Sequence, residues 1–375
     1  MTQNTKAPVK RPLPGREELE RLVRLALEEA DRLGASSAEA SASASQGLSV
    51  KVRKGEVDTL EHTRDRGLAV TVYFGQRKGS ASSADFASRS VAETVQAACD
   101  IARYTSEDPC SGLADRERMA WDAPSLDLHH PWDIDAEGAI ELARECESAA
   151  LSQDSRLTNS EGADVSSHEG MQVYGNSHGF VGGFAASQHG ISCVVLGSQD
   201  EEMQRDYWYT AARAPEDLLS AVEVGREAAR RTVARLGARR LTTRTVPVLF
   251  APPMARSILG HFVSAISGGS LYRRASFLLD SIGTQVFPDF INLDEQPHLP
   301  RALGSTPFDN EGVATAPRRL VDAGVLQGYV LSSYSARKLD METTGNAGGV
   351  HNLTIEPGDK GFEELVGNMG EGLVV

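Results

Sequence analysis

The stretch SILGHFVSAISGGSLYRR, Ser257 to Arg274, sets one histidine in an apolar helical pattern, the setting in which zinc hydrolases present ligands. Ile258, Phe262, Ala265 and Ile266 recur at i, i+4, i+7 and i+8, so the helix packs by one face. His261 lacks a second ligand one turn on, because Ala265 stands at i+4. Zinc takes three or four nitrogen, sulfur or oxygen donors, and no cysteine or second histidine lies nearby in the sequence. Taken alone, His261 reads as a structural or hydrogen-bonding residue. Gly268-Gly269 is expected to end the helix, with Arg273 and Arg274 in the turn that follows.

Other residues have chemistry to offer. Asp309 and Glu311, in GSTPFDNEGVAT, are carboxylates at i, i+2 that share a face in a strand. They suit a cation, peptide amines or an acid/base pair. The competing reading, which is preferred, is a tight turn in which Asp309 accepts backbone N–H bonds and Gly312 takes positive φ. TGNAGG, Thr344 to Gly349, can present consecutive backbone N–H groups to a carboxylate, or is a plain glycine loop. His168, His178 and His189 fall in strand-like or turn-rich segments, where loop histidines are commoner than ligands. Tyr207, Trp208 and Tyr209 suit packing between sheet and helix better than stacking on a ligand. No phosphate loop, no G-x-S-x-G elbow and no H-E-x-x-H pair is present.

The elements that must position these residues read as an α+β chain. A polar lead, 1–15, is expected to be disordered. An N-terminal region over 16–240 shows helix, antiparallel strands and helix twice, over 16–105 and 136–237, which suggests a duplication. Helices are expected at 16–33, 88–104, 136–151 and 215–236, and a hairpin turn at Lys54-Gly55. Residues 241–375 are expected to form a mostly antiparallel β domain.

Composition excludes some classes. Of 375 residues, 40% are apolar and 24% charged, as in an ordinary globular protein, with a net charge of −14. That charge argues against nucleic acid as the main partner. The arginines between Arg226 and Arg244 read as a solvated helix face. Cys99, Cys110, Cys146 and Cys193 form no C-x-x-C pair, which suits reduced thiols in the cytoplasm. The N-terminus lacks an apolar h-region and no apolar run reaches 18 residues, so neither a signal peptide nor a membrane span is expected.

Five segments taken in order carry a resemblance: ISGGSLYRRASFLLDSIG, GSTPFDNEGVAT, LVDAGVLQGYVLSSYSARKL, TTGNAGGVHNLTIEPG and EELVGNMGEGLVV. Together they resemble the PmbA/TldE branch of the TldD/PmbA metalloprotease family, an older label for which is modulator of DNA gyrase. The similarity runs from about residue 20 to the end and is densest after Pro247. It implies a heterodimer of two like-folded chains that degrades or trims peptides. The TldD branch carries H-E-x-x-x-H on the helix matching 258–270 here, with a further cysteine ligand near its C-terminus. Laid on this chain, the motif falls on Gly260, His261 and Ala265, so both ligands and the water-activating carboxylate are missing. The resemblance thus implies a non-catalytic subunit with no cofactor of its own, zinc residing in a TldD-like partner. Unfolded or short peptides are the implied substrates, with a homodimer an alternative when the chain is alone. Arg273, Arg274, Asp309, Glu311, Asn346, His351 and Asn352 are candidate cavity positions. Family members usually continue several tens of residues past MGEGLVV, so a truncated C-terminal domain is expected. A peptide-binding adaptor without a protease partner is the rival reading. An autonomous hydrolase built on Asp309/Glu311 or on the three histidines is weakened by the missing ligands.

Overall fold

The computed structural model describes residues 13–375; most of the lead expected over 1–15 lies outside the described residues. The N-terminal region is one six-stranded antiparallel sheet backed by four helices. Its first unit is α1 (Arg16–Arg32), β1 (Ser37–Arg53), β2 (Glu56–Phe74), β3 (Arg77–Ser83) and α2 (Ser88–Tyr104). Its second is α3 (Ala136–Leu151), β4 (Leu157–Asn176), β5 (Val181–Gln199), β6 (Glu202–Ala212) and α4 (Ala221–Ala234). The strand order is β3-β2-β1-β4-β5-β6, so the two units meet at the β1–β4 pair.

Strand β1 shows why the helices take one side. Ala38, Ala40, Ala42 and Ala44, then Leu48, Val50 and Val52, are all buried. Side chains of one parity share a face. Ala38, Ala40 and Ala42 pack with Leu19, Leu22 and Val23 of α1 and Val91 and Val95 of α2. Leu48, Val50 and Val52 pack with Ala143 and Cys146 of α3 and Val224 and Ala228 of α4. Each buried Leu or Val contributes about 1.5–3 kcal/mol, and the small alanines let the helices come close. The opposite parity, Glu39, Ser41, Ser43, Ser45, Gly47 and Ser49, lines the other face of the sheet.

Several local expectations meet the structure directly. The β1–β2 hairpin turns at Lys54 (φ 54°) and Gly55 (φ 77°), the left-handed pair that a two-residue turn needs. Glu147 of α3 clamps that turn, its two carboxylate oxygens accepting the Lys54 and Gly55 N–H groups at 2.8 Å each. Gly47 does not interrupt β1; a β-carbon there would lie 2.2 Å from the His168 ring, so the glycine serves a close approach. The helix expected over 215–236 is shorter: Pro215–Asp217 forms a separate 3-10 turn. Ser220 then caps α4 by accepting the Glu223 N–H, and the Glu223 side chain accepts the Ser220 N–H in return.

The C-terminal region is smaller in sheet than expected. It comprises β7 (Val248–Leu249), α5 (Pro252–Ile266), α6 (Gly268–Tyr272), β8 (Leu293–Glu295), β9 (Arg318–Asp322), β10 (Val325–Leu326), α7 (Ser333–Lys338), β11 (Leu353–Ile355), α8 (Phe362–Met369) and β12 (Leu373–Val374). β8–β11 form an antiparallel sheet in the order β10-β9-β8-β11, while β7 and β12 pair in parallel. Between the short strands, side chains such as Asp309, Glu295 and Asn352 accept loop N–H groups. Gly268-Gly269 does not end the helix as expected. Ser267, extended at φ −75° and ψ 138°, breaks it, and the two glycines open α6. The region has its own core around Ile266, Leu271, Leu293, Leu320 and Leu331. It meets the N-terminal sheet through Tyr174, Phe180 and Phe308, with Phe180 and Phe308 edge-to-face at 5.6 Å. Among the described residues, no helix is long and apolar enough to cross a membrane.

Candidate functional site

Helix α5 shows two unlike faces. Phe262, Ala265 and Ile266 are buried, and Phe262 meets Phe287 edge-on at 5.0 Å. Gly260 and His261 lie on the exposed side, and a β-carbon at Gly260 would meet open space. Only one of the three motif-aligned positions therefore carries a donor atom at all. Arg273 and Arg274 follow α6 and are exposed; the Arg273 guanidinium sits 5.3 Å over the Tyr272 ring. Arg274 adopts φ 56°, turning the chain out of α6.

The remaining candidates organise loops. Asp309 is 3% exposed. One carboxylate oxygen accepts the Glu311 and Val313 N–H groups at 2.9 and 3.0 Å, the other the Ala347 N–H at 2.9 Å. Gly312 at φ 75° completes the turn. Burial pushes the Asp309 carboxyl up to about 6, although those N–H groups favour the anion. Asp309 thus takes the turn reading and does not share a face with Glu311 as a strand pair. Glu311 instead accepts the Ser333 N–H at the start of α7, 2.9 Å away.

Asn346 is buried with both polar side-chain atoms engaged. Its amide nitrogen donates to Glu295 at 2.7 Å and to the Gly349 carbonyl at 2.9 Å. Its oxygen accepts from Arg318 and from the Thr344 hydroxyl, both at 2.7 Å. His351 donates its backbone N–H to Glu295 at 2.7 Å, and its ring Nε2 lies 3.2 Å from the Gly345 carbonyl. Asn352 holds the 304–305 loop: its oxygen accepts the Gly304 N–H at 2.9 Å, and its nitrogen donates to Ser305 at 2.7 Å. The hub missed from sequence is Glu295, 1% exposed, which also accepts from Arg318 Nε at 2.7 Å. No local spacing links Glu295 to Arg318 or Asn346; only an acid within an apolar strand pattern hints at it.

The three histidines do not converge. His168 lies over Gly47 on the helix-free face of the sheet. His189 is buried on the other face, between Ser167 Oγ at 3.0 Å and the His130 carbonyl at 2.8 Å, and burial lowers its pKa. His178 turns to the Ala114 carbonyl at 3.0 Å. Among the described residues, no three His, Cys, Asp or Glu side chains gather closely enough to hold a metal ion. Of the aromatic triplet, Trp208 packs as expected, beneath Arg231 of α4 at 5.1 Å. Tyr207 and Tyr209 point the other way, exposed and stacked at 6.3 Å, and Tyr209 reaches Arg256 of α5 at 3.3 Å.

Profiles of the PmbA/TldA metallopeptidase family match three stretches in order: domain 1 over 38–102, the central domain over 129–236 and the C-terminal domain over 243–375. The chain belongs to the PmbA/TldD metallopeptidase family. A curated relative, the metalloprotease PmbA of Escherichia coli O157:H7, is 49% identical over 338 residues, covering 90% of this chain and 75% of its own length. The PmbA homologue of Haemophilus influenzae is 47% identical over 360 residues, covering 96% and 80%. A solved structure from Bacteroides thetaiotaomicron, described as a modulator of DNA gyrase, superposes with a TM-score of 0.90 at 26% identity, covering 95% of this chain and 81% of its own. A metallopeptidase centre needs three or four donor side chains, and α5 does not supply them at the three aligned positions: Gly260 has no side-chain donor, Ala265 is buried and apolar, and His261 alone supplies one nitrogen.

Proposed function

We propose that this PmbA/TldD-family chain is the non-catalytic subunit of a two-protein zinc metallopeptidase that cleaves unfolded or short peptides. The partner is a TldD-like chain carrying H-E-x-x-x-H. The observation that supports this most is the exposed face of α5, where His261 stands as a lone nitrogen donor and Gly260 opens onto space instead of carrying a ligand. Zinc in the partner would supply Lewis-acid activation of water; this chain's residues would shape the chamber beside it and restrict entry. Exposed Phe277 and Phe290, 85% and 74% accessible, suit burial against another chain. The four unpaired thiols suit a reducing compartment, and the assembly is proposed to work in the cytoplasm.

The test is metal analysis and a peptidase assay on the purified chain, alone and mixed with a TldD-like partner. The expected result is no stoichiometric zinc and no hydrolysis alone, with hydrolysis appearing in the mixture. Stoichiometric zinc together with activity in the isolated chain overturns the proposal. Failure to form a complex overturns it in favour of a peptide-binding adaptor.

A further inference from the structure

A cleft of about 700 Å³ lies where the N-terminal sheet, the 105–114 connector and α7 meet, away from the exposed face of α5. Its size falls within the roughly 300–1,000 Å³ usual for small-ligand sites. Strand register builds one wall. Lys78 of β3 pairs with Tyr73 of β2, so both stand on the helix-free face with Glu39 of β1 and Tyr174 of β4. The Tyr73 and Tyr174 hydroxyls donate to the two oxygens of Glu39 at 2.9 and 2.8 Å. Burial raises the Glu39 pKa, and the nearby Glu311 charge adds to it. Among the described residues, no basic side chain lies within ion-pair distance of Glu39 or Glu311. The other basic group at the cleft, Lys338, is already bound to Asp108 at 2.9 Å. The cleft therefore has two carboxylates without an ion-pair contact on its inner wall and one exposed lysine, Lys78, free of an ion pair at its rim.

We propose that this cleft binds a small zwitterion, a free amino acid or short peptide, with its ammonium between Glu39 and Glu311 and its carboxylate at Lys78. A desolvated ammonium among acceptor oxygens and beside tyrosine rings recovers what solvation it loses, and gives the two carboxylates a cation in direct contact. A lone divalent cation is disfavoured because Glu39 and Glu311 are only two metal-type donors. The choice of a peptide over other zwitterions rests on the function proposed above; the charge pattern does not.

Isothermal titration calorimetry of the full chain tests this with Ala-Ala, N-acetyl-Ala-Ala and Ala-Ala amide. Ala-Ala is expected to bind, acetylation to weaken it at least tenfold, and amidation to weaken it less. Glu311→Gln keeps the acceptor for the Ser333 N–H and should weaken Ala-Ala about tenfold with unchanged thermal stability. Lys78→Ala, at an exposed site, should weaken Ala-Ala but not the amide. Absence of Ala-Ala binding at millimolar concentration, or equal binding of the acetylated form, overturns the site. The measurement uses the chain alone, so its failure leaves the partner-dependent peptidase test untouched.

Discussion

At the scale of the residue, Asp309 shows how a carboxylate can look catalytic and serve as a joint. Its three N–H donors tie the 309–313 turn to the 343–350 loop, yet burial dominates its titration. The folded value of about 6 lies above an unfolded value of about 3.9. Between these limits the folded chain holds a proton that the unfolded chain has lost. The stability owed to this group is then full below about pH 4, falls as pH rises to about 6, and is flat above. Asp309→Asn abolishes that titration. The stability margin of the parent over the variant, from urea unfolding, should shrink by up to about 3 kcal/mol between pH 4 and pH 7. A margin that widens over that interval contradicts the assignment. Taking the difference matters, because Asp108 and Asp154, held at about 2 by hydrogen bonds from Lys338 and Arg156, lose their contribution as pH falls.

At the scale of the element, close packing of helices through small residues decides what can be substituted. A β-carbon at Gly225 of α4 would sit 2.2 Å from the Cys146 carbonyl of α3. Alanine there gains about 1 kcal/mol in helix propensity but forces the two helices apart, an overpacking that costs about 1–3 kcal/mol or more. Gly225→Ala should lower the melting temperature. Gly367→Ala in α8, where nothing lies within 4 Å, should raise it slightly or leave it unchanged, and the reverse order would refute this packing account. The bounds of α2 and α3 and the Lys54-Gly55 turn were legible because each is set by a local pattern of apolar spacing or turn residues. The break at Ser267 was not, since the glycine pair after it carried a stop signal that the backbone spends on opening α6. Glu39 escaped notice as well: one acid in a run of alternating Ala and Ser has no motif, and its partners Tyr73, Tyr174 and Glu311 come from three distant parts of the chain. The degenerate α5 positions were visible only by family resemblance, because a missing ligand leaves no pattern of its own.

At the scale of the whole molecule, a few arginines fasten distant segments together. Arg337 of α7 donates to the carbonyls of Cys110, Gly112 and Leu113, fixing the connector that runs between the two helix–strand units. Arg213, at the end of the sheet, reaches the Ser187 and Leu303 carbonyls. Arg337→Ala removes the donor from those partly buried carbonyls, at a cost of up to about 1–3 kcal/mol each. Amide hydrogen exchange across 108–115 should quicken in that variant while the centre of the sheet stays protected; unchanged exchange there would show that the connector is held by other means. The strand order has a consequence in time. Each helix–strand unit closes on itself through neighbouring hairpins, but the seam at the middle of the sheet joins residues 39–52 to residues 163–176. On a ribosome the first unit is complete while its inner edge, β1, still waits for a strand not yet made. Over residues 40–45 that edge alternates alanine and serine, with little bulk to attract a wrong partner. The seam has the longest sequence separation of any pairing in the sheet, and its closure is the step at which the chain commits to one sheet instead of two half-sheets.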